Sequence, residues 1–230
     1  MLKKWEELPE FMRNKEVYQY YKLLETKRFQ LVIKRVFDII VSLLMIIVVS
    51  PILIVISLLI KLDSRGSIFY RQERITQYGR SFRIFKFRTM VSNADKIGTL
   101  ITIQNDNRIT NIGNKIRKCR IDELPQLFNI LIGDMSFIGT RPEVKKFVDV
   151  YTNEMKATLL LPAGVTSLAS IEFKNEDEII NEYVNKGYSV DEAYVNEVLP
   201  KKMVINLLYL RECRFFKDII ICYETFKSIF

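Results

Sequence analysis

Apolar and polar positions repeat with three different periods along this 230-residue chain, and each period predicts a different element. Residues 39 to 60 carry no charge for 22 positions, so as a helix they reach ~33 Å, the depth of a bilayer core. Residues 67 to 90 read as two strands about a turn at Tyr78-Gly79. In the second strand Phe82, Ile84, Lys86 and Arg88 share one side, while Arg83, Phe85 and Phe87 share the other. Leu124, Leu127, Phe128 and Leu131 fall at helical spacing, which predicts a short amphipathic helix after Asp122 that ends at Gly133. From Asp191 onward two helices are expected, the first restarting at Pro200. The second has an apolar stripe of Phe215, Phe216, Ile219, Ile220, Tyr223 and Phe226, suited to a core or to a membrane interface. Residues 1 to 30 mix Trp5, Phe11, Tyr18, Tyr20 and Tyr21 with Lys and Glu, as an interfacial or solvent-facing helix does.

The uncharged segment is not a cleaved leader, because 38 residues precede it and no small-residue cleavage site follows. A soluble helix is rarely apolar on every face. Ser50-Pro51 lies at its centre, where proline removes an amide and predicts a kink. Both flanks are basic, with Lys27, Arg28, Lys34 and Arg35 before and Lys61, Arg65, Arg71 and Arg74 after. Holding both on the cytoplasmic side suits a helix that enters, bends and returns; an ordinary span stays open as the alternative. The expected organisation is an amphipathic extension over 1–30, a membrane helix over 31–62 and a catalytic domain over 63–230. The class is α+β, mostly helical, with a short β-hairpin and amphipathic interfacial helices.

Composition narrows the chemistry. There is no histidine, so a Ser-His-Asp triad, a Cys-His pair and an HExxH zinc site are absent. Three cysteines without CxxC spacing suggest neither a disulfide framework nor a zinc knuckle. The net charge of +8 is uneven: residues 61 to 120 carry +10 and residues 121 to 180 carry −5. Such a basic block points to a specific anionic partner. For most of its residues a basic surface touching anionic lipid headgroups is the alternative reading, while Lys86 and Arg88, beside Thr89, are the better candidates for phosphate recognition. A membrane segment directly upstream disfavours nucleic acid as the partner.

Asp122-Glu123 is the candidate reactive pair. Asp122 stands at an expected N-cap and Glu123 in the first turn, so a capping role competes with a chemical one. Arg117, Lys118 and Arg120 precede the pair and Arg141 follows the helix. A carboxylate among guanidinium groups stays ionised and faces a place suited to phosphate, where it can bind Mg²⁺ or attack phosphorus.

KRVFDIIVS at 34–42, Ser50-Pro51, FKFRTM at 85–90, RIDELPQLFNILIGDMSFIGTRP at 120–142 and the late YLRECRFFKDIIICYETF resemble the bacterial sugar transferase family, the monotopic phosphoglycosyl transferases. The resemblance runs from about residue 31 to the C-terminus. It implies a re-entrant helix broken at Ser50-Pro51 and a Mg²⁺-dependent, two-step transfer with Asp122-Glu123 as dyad. Asp122 would attack the β-phosphate of a UDP-sugar, release UMP and pass the phosphosugar to polyprenyl phosphate, with Glu123 assisting metal binding or proton removal. Arg117 and Arg141 match family arginines associated with phosphate. The family's Gly-Pro-Arg-Pro stands here as Gly139-Thr140-Arg141-Pro142, and its Pro-Gly-Ile-Thr-Gly-Leu as 162–168, PAGVTSL. The segment after it, IEFKNEDEII, lacks the usual Gly-Arg, and these changes are expected to bear on donor choice. The implied location is the bacterial cytoplasmic membrane with the catalytic domain on the cytoplasmic face, and a homodimer stays open. A catalytically silent membrane scaffold for polysaccharide assembly is the alternative from another class.

Overall fold

The protein is described by a computed structural model over residues 2–92, 94 and 107–229. It is mostly helical. Helix α1 (Lys15–Glu25) is followed by the long α2 (Arg28–Asp63) and by an antiparallel hairpin of β1 (Phe69–Ile75) and β2 (Ser81–Phe87). The expected turn forms at Gln77–Gly79, with Tyr78 and Gly79 both at positive φ. Helices α3 (Asn111–Lys118) and α4 (Gln126–Ile132) lead to β3 (Met135–Ile138), the short α5 (Lys145–Val148) and β4 (Ala163–Thr166). Strand β4 pairs with β3 in parallel, a second small sheet that the hydrophobic pattern does not announce. Helices α6 (Leu168–Glu172), α7 (Glu176–Asn185), α8 (Val190–Ala193), α9 (Leu199–Glu212) and α10 (Phe215–Ile229) complete the chain, with Pro200 in the first turn of α9.

Helix α2 stays helical through Ser50-Pro51. Proline cannot donate to the carbonyl four residues back, which is that of Ile47. The Ser50 hydroxyl donates to that same oxygen at 2.8 Å, so the orphaned acceptor is satisfied without water. Along its length α2 presents one stripe to the rest of the fold. Leu31 packs on the largest cluster, Ile46 and Val49 on Phe82, Ile84, Leu127 and Ile130, and Leu53, Ile56 and Ile60 with Phe87 and Ile116. Polar contacts fix the amino-terminal end: Arg35 donates to the Ile130 and Leu131 carbonyls, Asp38 accepts from the Phe137 amide, and Lys34 pairs with Asp218 at 2.5 Å. Its opposite face, including Leu44, Ile47, Val48, Ile54, Leu58 and Leu62, is exposed.

The stripe expected on the last helix also faces outward. Phe216, Ile220, Tyr223 and Phe226 are exposed, while Asp218 and Ile221 face the fold. Residues 2–25 depart from the expected surface helix. Leu2, Leu8, Met12, Val17, Tyr20, Tyr21 and Leu24 are buried in the largest core cluster with Leu159, Leu160 and Leu210. The aromatic residues that suggested an interface are instead packing groups: Tyr20 donates to Glu154 at 2.6 Å and Trp5 meets Tyr18 and Tyr21 edge-on.

Arg88 requires a second correction. Its side chain is buried at the C-terminal end of α2, where Nη2 donates to the Ser64 carbonyl at 2.7 Å and Nη1 to the Arg65 carbonyl at 3.0 Å. A β-strand pattern assigns it a side but not a destination, and the unpaired carbonyls of a helix end claim its donors. Arg88→Met should therefore lower stability by about 2–3 kcal/mol, read by denaturation in detergent. Affinity for a phosphorylated ligand in the folded fraction should not change; a selective loss of that affinity would restore the phosphate role.

Candidate active site

Lys118 ends α3, and Arg120 takes the left-handed conformation at φ 52°, turning the chain into a single 3-10 turn over Ile121–Glu123. The α-helix starts only at Gln126, so Asp122 lies inside that turn and caps nothing. Among the described residues its carboxylate accepts no hydrogen bond. The capping role is thus removed by three residues of 3-10 geometry that the 3.6 period cannot reveal.

Glu123 is the opposite case. Its Oε1 accepts from Lys86 Nζ at 2.8 Å and from Arg141 Nη2 at 2.7 Å, and Arg120 Nη1 stands 3.9 Å from Oε2. Three segments far apart in sequence meet at this carboxylate: β2, the 3-10 turn and the strand exit after β3. Lys86 arrives because Tyr70 pairs with it across the hairpin and Asn129 of α4 accepts the neighbouring Phe85 amide in a 2.8 Å bond. Arg141 arrives because Gly139 and Gly164 allow β3 and β4 to touch backbone to backbone, with the Gly164 amide donating to the Thr140 carbonyl at 2.9 Å. A Cβ on Gly164 would stand 2.1 Å from the Gly139 amide nitrogen. Behind Arg141, buried Glu143 accepts from the Tyr194 hydroxyl, and Lys202 pairs with Glu176 at 2.8 Å, fixing the chain from the far side.

The charges sort the two acids. Burial by itself raises the Glu123 carboxyl, but Arg141 and Lys86 outweigh it and hold the group well below the usual carboxylate range. Burial pushes Asp122 up, opposed by Lys86 and reinforced by the Glu123 charge, with Arg117 and Arg141 opposing further. Burial likewise pushes the Lys86 ammonium down against the pull of Glu123. One acid is a fixed anion between two cations. The other is a desolvated carboxylate with nothing bonded to it.

A cavity of about 420 Å³ opens beside Glu123; Asp122, Lys86 and Arg117 are not among the residues that line it. Its rim carries Lys118, Arg120, Arg141 and Lys174 around Glu123, and its walls include Met45 of α2 and Phe226 of α10. Of the residues expected from sequence, Lys86, Glu123 and Arg141 are joined directly, Asp122 adjoins them, and Arg117 acts on Asp122 through charge. Arg88, Ser50 and Pro51 lie elsewhere. The altered segment after β4 does reach the site, since Lys174 lines the cavity and Asp177 lies within the influence of Arg117 and Arg120. Glu143, Tyr194 and Lys202 were not legible beforehand, because only the fold brings them behind Arg141.

Among the described residues no group of three or more His, Cys, Asp and Glu gathers as a metal cage. Mg²⁺ commonly takes one or two carboxylates and completes its shell with water and substrate phosphates. Asp122, without a partner, and Glu123 Oε2, with none nearer than 3.9 Å, fit that donor set.

The bacterial sugar transferase family matches residues 29–230, and the chain belongs to it. It is 34% identical over 200 residues to the UDP-N-acetylgalactosamine-undecaprenyl-phosphate N-acetylgalactosaminephosphotransferase of Aeromonas hydrophila, covering 86% of this chain and 43% of that protein. It is 33% identical over 199 residues to the UDP-glucose:undecaprenyl-phosphate glucose-1-phosphate transferase of Escherichia coli K12, covering 84% and 39%. The exopolysaccharide production protein ExoY of Rhizobium meliloti is 29% identical over 211 residues, covering 85% and 84%. The chain spans less than half the length of the first two relatives.

Because folded Glu123 is ionised far below the ~4.3 of an unfolded glutamate, its stabilisation is complete above that value and fades as pH falls below it. Glu123→Gln should cost about 1–2 kcal/mol at neutral pH by leaving two half-buried cations without their shared anion. The cost should shrink between about pH 5 and pH 2. Melting curves of both proteins across that range check it, and a pH-independent difference would contradict the assignment.

Proposed function

We propose that the protein transfers a phosphosugar from a UDP-sugar to polyprenyl phosphate at the cytoplasmic face of a bacterial membrane, the first membrane step of a glycan assembly. The observation that carries this reading is the division of labour in the dyad: a half-buried Asp122 that accepts no hydrogen bond among the described residues, beside a Glu123 clamped by Lys86 and Arg141 on the wall of a cavity that the long apolar helix also lines. Relatives named for this transfer, at similar identity but with different sugars, support the reaction class and leave the sugar open.

In the first step an Asp122 oxygen attacks the β-phosphorus, the bond from that phosphorus to the bridging oxygen breaks, and UMP leaves with the electron pair. In the second step an acceptor phosphate oxygen attacks the same phosphorus and Asp122 leaves, giving polyprenyl-diphosphate-sugar. Partial burial removes some of the water that would blunt Asp122 as a nucleophile. Arg117 and Arg141 offer charge to the phosphoryl oxygens, and Lys86, shared with Glu123, keeps an uncompensated negative charge from repelling them. Asp122 and Glu123 are the residues that would hold Mg²⁺, which when bound neutralises diphosphate charge.

The stripe that α2 lays against the fold supports a membrane placement with both helix ends on one side, since Lys34 and Ile60 touch the same body. The exposed faces of α2 and α10 supply the lipid contact. The silent-scaffold alternative does not explain why a reactive carboxylate is left unbonded beside four rim cations.

With Mg²⁺ and a panel of UDP-sugars, purified protein should release UMP, and without acceptor it should gain one phosphosugar mass on Asp122. Asp122→Asn or a chelator should lower the rate about a thousandfold or more. Absence of UMP release across the panel by membrane-bound protein would favour the scaffold. For topology, cysteines at Glu6→Cys and Arg65→Cys in a Cys119→Ser background should react with an impermeant reagent from the same side; reaction from opposite sides would establish a span.

A further inference from the structure

Within the cavity wall one polar group stands apart. Gln126 is 1% exposed, its Nε2 has no hydrogen-bond partner, and no hydrogen bond to its side-chain oxygen is formed among the described residues. A buried primary amide nitrogen left without a partner is uncommon. The residue lines the cavity. It lies three positions after Glu123 and four after Asp122, between the charged end formed by Glu123 and Arg141 and the apolar wall of Leu127 and Ile130. Four rim cations against one carboxylate leave the cavity strongly positive. Met45 and Phe226 continue its walls toward the two exposed apolar helix faces. An anion carried on a long apolar chain matches both halves, whereas a soluble nucleotide matches only the charged one.

We propose that Gln126 recognises the acceptor: its amide hydrogen-bonds the phosphate of the polyprenyl phosphate and turns an oxygen of that phosphate toward the phosphorus held by Asp122. The proposal rests on the transferase reading and adds to it a residue and a side of the site. A neutral amide suits this place, because it holds the incoming phosphate without tying it up as a further salt bridge would. It also separates the two half-reactions, since the acceptor enters only the second.

Gln126→Leu keeps the volume and removes the amide; Gln126→Glu keeps the shape and adds a repelling charge. Single-turnover UMP release by Gln126→Leu should stay within about twofold of the unaltered protein, while the KM for an undecaprenyl phosphate acceptor rises about tenfold or more, and further in Gln126→Glu. Direct binding in detergent provides a second arm with three probes: undecaprenyl phosphate, UDP-sugar and inorganic phosphate. Only the first should weaken in the variants. An unchanged acceptor KM would overturn the proposal. So would an equal loss in both half-reactions at an unchanged melting temperature, or a weakening for UDP-sugar instead. If the unaltered protein released no UMP, the transferase reading would fail. The binding arm would still decide whether Gln126 holds a lipid phosphate.

Discussion

The site depends on one buried carboxylate. Glu123 gathers Lys86 from the hairpin and Arg141 from the exit of β3, and so ties together by charge three segments that Asn129, the Gly139–Gly164 contact and a shared apolar cluster already bring close. Either cation buried alone would be costly, and two together without an anion more so. Placing the carboxylate between them turns a repulsive cluster into a fixed charged floor beside the cavity. It also leaves its neighbour free: with the nearby cations directed at Glu123, Asp122 remains unbonded. The difference between the two acids comes from three-dimensional position, since in sequence they are adjacent and chemically alike.

Much of this was written in the chain and some was not. The uncharged run, the hairpin and its Tyr78-Gly79 turn, the two late helices and the acid pair between basic neighbours were all legible, because each depends on local period or local composition. The resemblance of the motifs to a family then linked the pair to a reaction. Three features escaped. Arg88 shares a strand side with Lys86, but a helix end stands nearer to it than the site, and only tertiary structure shows this. Asp122 looked like a cap because a 3-10 turn and an α-helix begin with the same kinds of residue. The amino-terminal aromatics looked amphipathic because partly polar rings suit an interface and a core equally, and their core is assembled from Leu159, Leu160 and Leu210, far along the sequence.

The same limit applies to the parallel pairing of β3 and β4. Two four-residue strands give almost no period, yet the backbone approach of Gly139 and Gly164 sets where Arg141 emerges. The Gly-Thr-Arg-Pro run at 139–142 and the PAGVTSL run at 162–168 both lie at that pairing. Thr140 contributes its carbonyl to it, and the segment after β4 carries Lys174 to the cavity rim. The wall that carries Lys174 can thus vary while the carboxylate floor is unchanged.

The Ser50 hydroxyl seated on the Ile47 carbonyl has a consequence for how this helix could have arisen. A proline in an oily helix ordinarily leaves a polar scar that must be hidden by protein or wetted. Here the adjacent serine dresses that scar from within, so a bend at this point needs no neighbouring helix to shelter it. A long apolar helix can then carry a proline at its midpoint, since a two-residue word supplies both the interruption and its repair.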